Sequence, residues 1–407
     1  TLTDGYLDVH NEQPFSLNFA AMFPEAWRFD NAHARFNYHS QDVGTERRLL
    51  QISSDLVRVT DGNLSASGRV HLNLPSLREN QTWGVEVGLN AGELGDVGRY
   101  LPSVLPQQVQ DWINRALVSG RANEGGMVIH GSLYRGEPRD RKVHELFLKA
   151  SEVEFDYDPK WPKIVDLGAT VFVGYNSIYS NNIVGQVIGN ELTSASFRVP
   201  VHPDGATDSV LVNGRFKADV ESGIYLLNNT PIADATMGMA ETWQGDGLLT
   251  GELNLDVPIG KRAGDVVNVG VQVDLVDARL SMPLFNLEID GLSGLVEYET
   301  VTGLRSPGFT GMMFDEPVKG IIDTELIAEQ GQINVQVDGT VSARDLHQWS
   351  NQVLMTQMEG LLDYNVNVHI PVGGDAAPIW VEATSDLVGV HVDLPAPLGK
   401  PADDVAI

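Results

Sequence analysis

Residues 267–275 read V-N-V-G-V-Q-V-D-L, and this stretch decides the fold class. Its apolar positions are Val267, Val269, Val271, Val273 and Leu275. The residues between them are polar or small. Because successive side chains of a β-strand point to opposite faces, this period of two predicts a strand with one apolar and one polar face.

The same alternation returns twice towards the C-terminus. Its apolar positions there are Ile333, Val335, Val337, Val366, Val368 and Ile370. Helical segments are too few to cover so much apolar sheet, which leaves two arrangements open. Two sheets pack into a closed sandwich, or one curved sheet forms a trough whose apolar face meets a ligand.

One pattern occurs three times along the chain: a helical stretch, a glycine and then a strand. The helical stretches contain Trp112, Trp243 and Trp349, and we expect each helix to end at the glycine that follows it. The pattern predicts one continuous repeat array over residues 1–407. Its parts are a partial repeat at 1–91, repeats at 92–218 and 219–342, and a partial repeat at 343–407.

Composition agrees with a β-rich chain and limits its partners. The 407 residues include 41 Gly and 20 Pro, as expected for many strands joined by tight turns. The net charge of -28 excludes nucleic acid as a partner and disfavours contact with an anionic bilayer through this surface. The chain has no cysteine, so no disulfide is expected.

No constellation of residues points to an enzyme. The ten histidines lack metal-ligand spacing, and neither a G-x-S-x-G nor a phosphate-loop motif occurs. Glu152 and Glu154 are separated as paired glycosidase carboxylates could be, but the simpler interpretation is the solvated face of a strand. We therefore predict no catalytic residue, no metal site and no cofactor.

Three motifs, the first of which consists of two stretches, carry a family resemblance. Residues 100–102 read Y-L-P and residues 112–117 read W-I-N-R-A-L. Residues 157–162 read Y-D-P-K-W-P, and residues 394–401 read L-P-A-P-L-G-K-P. In this order the motifs resemble those of YhdP-type proteins in the AsmA-like group, which are related to TamB-like and bridge-like lipid transfer proteins.

The resemblance implies a fold and a function. The implied fold is an elongated, curved, mostly antiparallel β-sheet that forms an open hydrophobic groove, with short helices at each repeat. The implied function is the transfer of phospholipids between inner and outer membrane through the periplasm of a Gram-negative cell. The partners would be phospholipid acyl chains, the two membranes through segments outside this chain, and unidentified envelope proteins at the ends. An N-terminal segment outside this internal fragment would anchor it in the inner membrane.

The apolar positions of the predicted strands are the candidate groove-lining residues. They are Val153, Phe155, Leu253, Leu255, Val267, Val269, Val271, Val273, Ile333, Val335, Val337, Val366, Val368 and Ile370. Two alternatives stay open. One is a structural envelope or adhesin-like β-repeat with a closed core, and the other is a polysaccharide-active β-protein that uses Glu152 and Glu154.

Overall fold

The fold consists mainly of antiparallel strands. A computed structural model describes residues 2–18, 25–42, 48–62, 64–103, 105–133, 142–233, 238, 240–327, 330–372, 378–395 and 397–405. Strands make up 64% of the chain and helices 14%. The predicted class, mainly antiparallel β with short helices, is confirmed.

The chain divides into two compact units. The first unit comprises Thr1–Leu211 and Pro258–Gly264, and the second comprises Val212–Val257 and Asp265–Ile407. The strands of the first unit are β1 (Leu2–Asn11), β2 (Phe15–Leu17), β3 (Trp27–Phe29), β4 (Asn31–Asp42), β5 (Arg48–Ser54), β6 (Val57–Asp61), β7 (Leu64–Pro75), β8 (Thr82–Glu93), β9 (Leu117–Ser132), β10 (Val143–Phe155), β11 (Ile164–Val173), β12 (Ser177–Val187) and β13 (Asn190–Pro200). Helix α1 (Gln107–Ala116) precedes β9, and short 3-10 helices cover Arg78–Asn80, Leu94–Tyr100 and Gly260–Arg262.

The second unit has the same kind of organisation. Its strands are β14 (Ser209–Asp219, most of which belongs to this unit), β15 (Gln244–Pro258), β16 (Asn268–Met282), β17 (Leu287–Glu299), β18 (Gly303–Met313), β19 (Glu316–Ile327), β20 (Gln330–Ser342), β21 (Met358–Val372), β22 (Trp380–Thr384) and β23 (Val390–Val392). Its helices are α2 (Val220–Asn229) and α3 (Ala343–Ser350), with 3-10 helices at Pro283–Phe285 and Val353–Gln357. From β7 to β13, and again from β15 to β22, each strand pairs antiparallel with the next.

Side-chain caps start two of the three α-helices found in the described ranges. The Asp219 carboxylate accepts a hydrogen bond from the Ser222 backbone N–H at 2.6 Å, at the start of α2. The Ser342 hydroxyl accepts one from the Asp345 backbone N–H at 3.0 Å, at the start of α3. Both side chains satisfy backbone donors that have no partner inside the helix.

The expectation that each helix ends at a glycine is wrong. The helices end at Ala116, Asn229 and Ser350, and α3 is closed by Asn351 in the left-handed conformation. Trp243 lies between α2 and β15 and is not helical. The glycines instead lie inside the following strands, where they serve a different purpose.

Gly120 and Gly247 allow a close approach between neighbouring strands. Their φ angles are 139° and 102°, a region that side chains other than glycine rarely adopt. A Cβ atom would lie 2.9 Å from the Cα of Val153 at Gly120, and 2.9 Å from the Cα of Ala278 at Gly247. Gly360, in β21, also has a positive φ and approaches Gly389 closely.

The residues opposite these glycines follow a β-bulge. Glu152 and Asp277 have φ angles of 55° and 54° and are the extra residues of their strands. The residues that follow them, Val153 and Ala278, are each 1% exposed. The first and second units thus repeat one local geometry, while the repeat boundaries at residues 92, 219 and 343 remain predictions.

Among the described residues, buried apolar side chains form three small clusters near the helices or 3-10 helices. The first contains Leu94, Ala122 and Val153; the second contains Val220, Ile224, Leu249, Ala278 and Leu292; the third contains Val341, Leu362, Val390 and Val392. Helix α2 contributes to the second cluster, and Leu346 of α3 packs against the third. The remaining apolar sheet positions are mostly half-buried or exposed.

We expect Gly247→Ala to lower the free energy of unfolding by about 2–4 kcal/mol. The alanine must keep a backbone φ that is unfavourable for it, and its Cβ must displace the backbone of Ala278. Gly264→Ala is the matched control, because Gly264 has a φ of 104° but no atom within 4 Å of the added Cβ. Chemical denaturation should show a clearly smaller loss for the control. Equal losses in the two variants would mean that the close approach to Ala278 does not add to the loss of stability.

Candidate functional site

In the first unit, one face of the sheet is almost entirely apolar. Opposed residues of neighbouring strands form a row across it: Val87, Met127, Leu146, Val173, Ile178 and Val199. Leu148 lies opposite Val171 in the next row on the same face. Because the row crosses six strands about 4.8 Å apart, it extends over roughly 24 Å.

Val153 and Phe155 lie on this same face, at the end nearest α1. The bulge at Glu152 shifts the alternation by one residue, so Val153 continues the face of Leu148. Val153 is 1% exposed and packs with Leu94 and Ala122. This end of the face is therefore covered by protein.

Trp112 adds to that cover. Its indole packs edge-on against the ring of Phe155, with centroids 5.9 Å apart and an interplanar angle of 89°. Its indole N–H donates a hydrogen bond to the Tyr157 carbonyl oxygen at 3.1 Å. Two motifs that carry the family resemblance, residues 112–117 and residues 157–162, thus meet at this contact.

The second unit has an apolar face of the same kind. Across it, Leu253 lies opposite Val271 and Leu255 lies opposite Val269. The candidates that the structure brings to this face, all half-buried, are Leu253, Leu255, Val269, Val271, Val273, Ile333, Val335, Val337, Val366, Val368 and Ile370. Val267 lies just before β16 and is 38% exposed, so it stands outside the paired strands.

The rows of the second unit connect its strands without a break. One row contains Leu249, Leu275, Gly294, Phe309, Gly320, Val337, Val366 and Ala383. The ring of Phe309 lies flat over Gly320, where a Cβ would collide with it. Phe216 lies over Gly251 in the same way. These glycines let large rings lie against the sheet, so that the rings project less from the face.

The centre of this face is open compared with its helical end. Val220 and Ile224 of α2 pack with Leu249 and contribute to a buried cluster. In contrast, neither Val269 nor Val271 belongs to any buried cluster of the described residues. Half-buried valines in paired strands are what an open trough requires, whereas the inner face of a closed sandwich would be fully buried.

The opposite face of the second unit is polar, and its side chains form hydrogen bonds with one another. The Asn365 side-chain amide donates to the Asp338 carboxylate at 2.8 Å, and the Asn367 amide donates to the Asn365 side-chain oxygen at 2.7 Å. On other strands, Arg305 pairs with Asp323 at 3.0 Å. The two faces of the sheet thus differ sharply in polarity.

The predicted carboxylate pair does not lie on one strand face. Glu152 is the extra residue of the bulge, whereas Glu154 is paired with Lys163 at 2.9 Å. Among the residues that the structure describes, no group of three or more His, Asp and Glu side chains could hold a metal ion. The described residues therefore offer an apolar surface and do not assemble the predicted carboxylate pair.

Two tyrosines beside the apolar faces have a shifted pKa. Burial raises the pKa of Tyr364 to about 12, and its phenolic oxygen has no hydrogen-bond partner among the described residues. Burial, aided by the neighbouring Asp158 carboxylate, raises the pKa of Tyr157 to about 12. In both cases the surroundings favour the neutral phenol.

We expect alkaline titration to show that Tyr157 and Tyr364 ionise late, at a pKa of about 12. A raised folded-state pKa contributes stability that is complete below about pH 10 and is lost as the pH rises from about 10 to 12. Ultraviolet difference spectra of Tyr157→Phe and Tyr364→Phe should each lack one late transition. Tyr364→Phe should leave stability nearly unchanged, since it removes an unpaired hydroxyl. Variants that both keep every late transition of the parent protein would contradict this.

Comparison with known proteins places the chain in a family. The family model described as YhdP protein matches residues 1–406. The chain belongs to the YhdP family. The resemblance expected from its motifs is thereby confirmed. In the described ranges of this YhdP-family chain, no helix is both long and apolar enough to cross a membrane.

A curated member of the YhdP family is similar over most of this chain. The intermembrane phospholipid transporter YhdP of Escherichia coli (strain K12) is 22% identical over 339 residues, which cover 80% of this chain and 25% of the relative. The chain thus spans about a quarter of that protein's length. The relative is named a transporter, in agreement with the prediction that this chain is not an enzyme. No solved structure matches.

Sequence reasoning missed most of the apolar face of the first unit. It did not single out Val87, Met127, Leu146 or Val173, which form one row of this YhdP-family chain. A usable signal exists in β8, where residues 85–89 read V-E-V-G-L. In β10, apolar residues on both faces hide the alternation.

Proposed function

We propose that this chain is part of a periplasmic lipid-transfer conduit, in which phospholipid acyl chains lie on the apolar faces of the two units. The observation that carries the proposal is the unbroken set of half-buried apolar rows, such as the row through Leu275, Val337 and Val366. Exposed apolar area of this extent marks an interaction surface. Its candidate lining residues are those predicted from the sequence, except Val153, which is fully buried, and Val267, which lies outside the paired strands.

The dimensions suit an acyl chain. Along β15, the residues of the apolar face from Gly251 to Val257 span about 20 Å at roughly 3.3 Å per residue. One leaflet of a bilayer has a hydrocarbon thickness of about 15 Å, half of the roughly 30 Å core. One strand therefore offers enough apolar length for one tail.

The energetics favour a continuous face over free diffusion. Each buried CH₂ group contributes about 0.8 kcal/mol, so moving both tails of a phospholipid into water costs on the order of 20 kcal/mol or more. An apolar face removes most of that barrier while the headgroup remains in solvent. No dedicated headgroup pocket is needed for such passage.

The family supports the cellular setting. The E. coli relative is named an intermembrane phospholipid transporter. We place this chain in the periplasm, with transfer between inner and outer membrane, an inner-membrane anchor in an N-terminal segment outside this chain, and unidentified envelope proteins at the ends. A structural repeat with a closed core is the second candidate, but the half-buried Val269 and Val271 favour the open face.

Lipid extraction tests the proposal directly. The purified chain is extracted with organic solvent, and the extract is analysed by lipid mass spectrometry. We expect phospholipid at a near-stoichiometric amount, and none above background from an unrelated acidic β-protein purified from the same cells. Lipid at background level in both extracts would support the structural alternative.

A further inference from the structure

The outer face of the first unit contains a cleft separate from the apolar face. Its volume is about 650 Å³, and it crosses β7 to β12 on the side opposite Leu148 and Val171. Two rows of side chains form its walls. One wall is aromatic and the other is largely charged. The aromatic wall stands out because the rest of this sheet face is polar.

The aromatic wall is a row of three rings that ends over glycine. Phe172 stacks on Tyr179 with centroids 5.1 Å apart and an interplanar angle of 18°, and Phe147 lies 6.4 Å from Phe172. The ring of Phe147 covers Gly126, where a Cβ would lie 2.5 Å from it. The next residue of the row is Gly88, whose added Cβ would meet nothing closer than 3.8 Å. The floor beside the last ring is therefore free to accept a flat group.

The charged wall places carboxylates next to that floor. Glu86, Val128 and Glu145 lie opposite one another on β8, β9 and β10. Both glutamates are exposed, and neither has a hydrogen-bond or ion-pair partner among the described residues. Residues two apart on a strand are about 7 Å apart, so Glu86 neighbours Gly88 and Glu145 neighbours Phe147.

Two arginines define where a cation can bind. Arg69 lies opposite Glu86 and partly offsets its charge, whereas Glu145 is two strands further away and has no basic residue opposite it among the described residues. Arg198 lies opposite Tyr179 and makes the far end of the aromatic row unfavourable for a cation. The favourable position is the end of the cleft that is bounded by the open floor over Gly88, the ring of Phe147 and the Glu145 carboxylate.

We infer that this cleft binds an arginine-bearing extended segment of a partner protein. A guanidinium group is planar, stacks on aromatic rings and pairs with carboxylates through two hydrogen bonds, so it matches both walls at once. A lysine ammonium matches the carboxylates but lacks the flat shape. The net charge of -28 also attracts basic partners at long range. This site is independent of the proposed lipid-binding face.

Titration calorimetry with a blocked Arg-Ser-Arg-Ser-Arg-Ser peptide tests the inference. A peptide with citrulline in place of arginine keeps the shape without the charge. We expect the arginine peptide to bind the intact chain, with at least tenfold weaker binding to Glu145→Gln and to Phe172→Leu. The control Glu191→Gln changes charge equally on the same sheet face, outside the cleft, and should bind within twofold of the parent.

Three outcomes would overturn the inference. They are equal weakening by Glu145→Gln and Glu191→Gln, equal binding of the citrulline peptide, and binding of a chitotetraose probe that Phe172→Leu abolishes while the arginine peptide is unaffected. The last result would indicate a glycan site. Circular dichroism and thermal unfolding of each variant separate lost binding from lost fold, and Phe147→Leu provides a second aromatic variant.

Discussion

Val271→Asp is expected to abolish phospholipid binding by the second unit while the protein stays folded. Val271 lies between Leu253 and Tyr298 on the apolar face and is half-buried. In the lipid-free protein an aspartate there can remain hydrated, so its cost is about that of a poor β-former, roughly 1 kcal/mol. Against an acyl chain the same carboxylate would have to lose its water, which costs several kcal/mol.

Lipid mass spectrometry and thermal unfolding of the same sample separate these effects. We expect at least a tenfold loss of bound phospholipid, and a change in unfolding temperature of about 2–4 °C. Gln272→Asp is the matched control, since residue 272 points to the opposite face of the same strand. If Val271→Asp unfolds while Gln272→Asp stays folded and keeps its phospholipid, the result would instead support a closed core.

Photo-crosslinkers on the apolar faces are expected to capture lipid in both units. Suitable positions are Val171 in the first unit and Val271 and Val368 in the second, because all three are half-buried members of apolar rows. Val153 is unsuitable, since it is 1% exposed beneath Leu94. A single enclosed pocket would give one labelled position, as such sites are few per protein.

The controls are residues directly adjacent in sequence to the three apolar positions. A crosslinker at Thr170, Gln272 or Asn367 lies on the polar face, and we expect at least tenfold less lipid there. The readout is the mass of the crosslinked adduct after protein purification. Equal capture on both faces, or capture at one of the three apolar positions alone, would count against a shared mode of binding.

The sequence predicted strands best where alternation is uninterrupted. Over residues 269–275, 333–338 and 364–370, in β16, β20 and β21, apolar residues alternate with polar or small ones, and the structure brings the apolar residues to one face. β10 was harder, because the extra residue at Glu152 reverses the side-chain pattern part-way along the strand. A bulge depends on the neighbouring strand, so periodicity within one strand cannot reveal it.

The glycines were recognised in the sequence but given the wrong reason. Gly247 and Gly360 follow helical stretches and were predicted to end them. Their positive φ angles and their close approach to Ala278 and Gly389 show that packing against neighbouring segments of the chain requires them. Sequence reasoning also overlooked the cleft over Gly88, since its walls come from six strands and meet only in the folded sheet.

Because the residues of the apolar faces are only half-buried, they tolerate different substitutions from those that buried core residues tolerate. A buried residue such as Ala278 or Val390 fits neighbours of fixed shape, so a change in its size is costly. Acyl chains are fluid and adapt to whatever they touch. Side chains that contact only such a cargo need to be apolar and need not interlock. Exchanges among valine, leucine and isoleucine at Val271 or Val335 are then nearly neutral, which leaves the face free to drift in sequence while keeping its character.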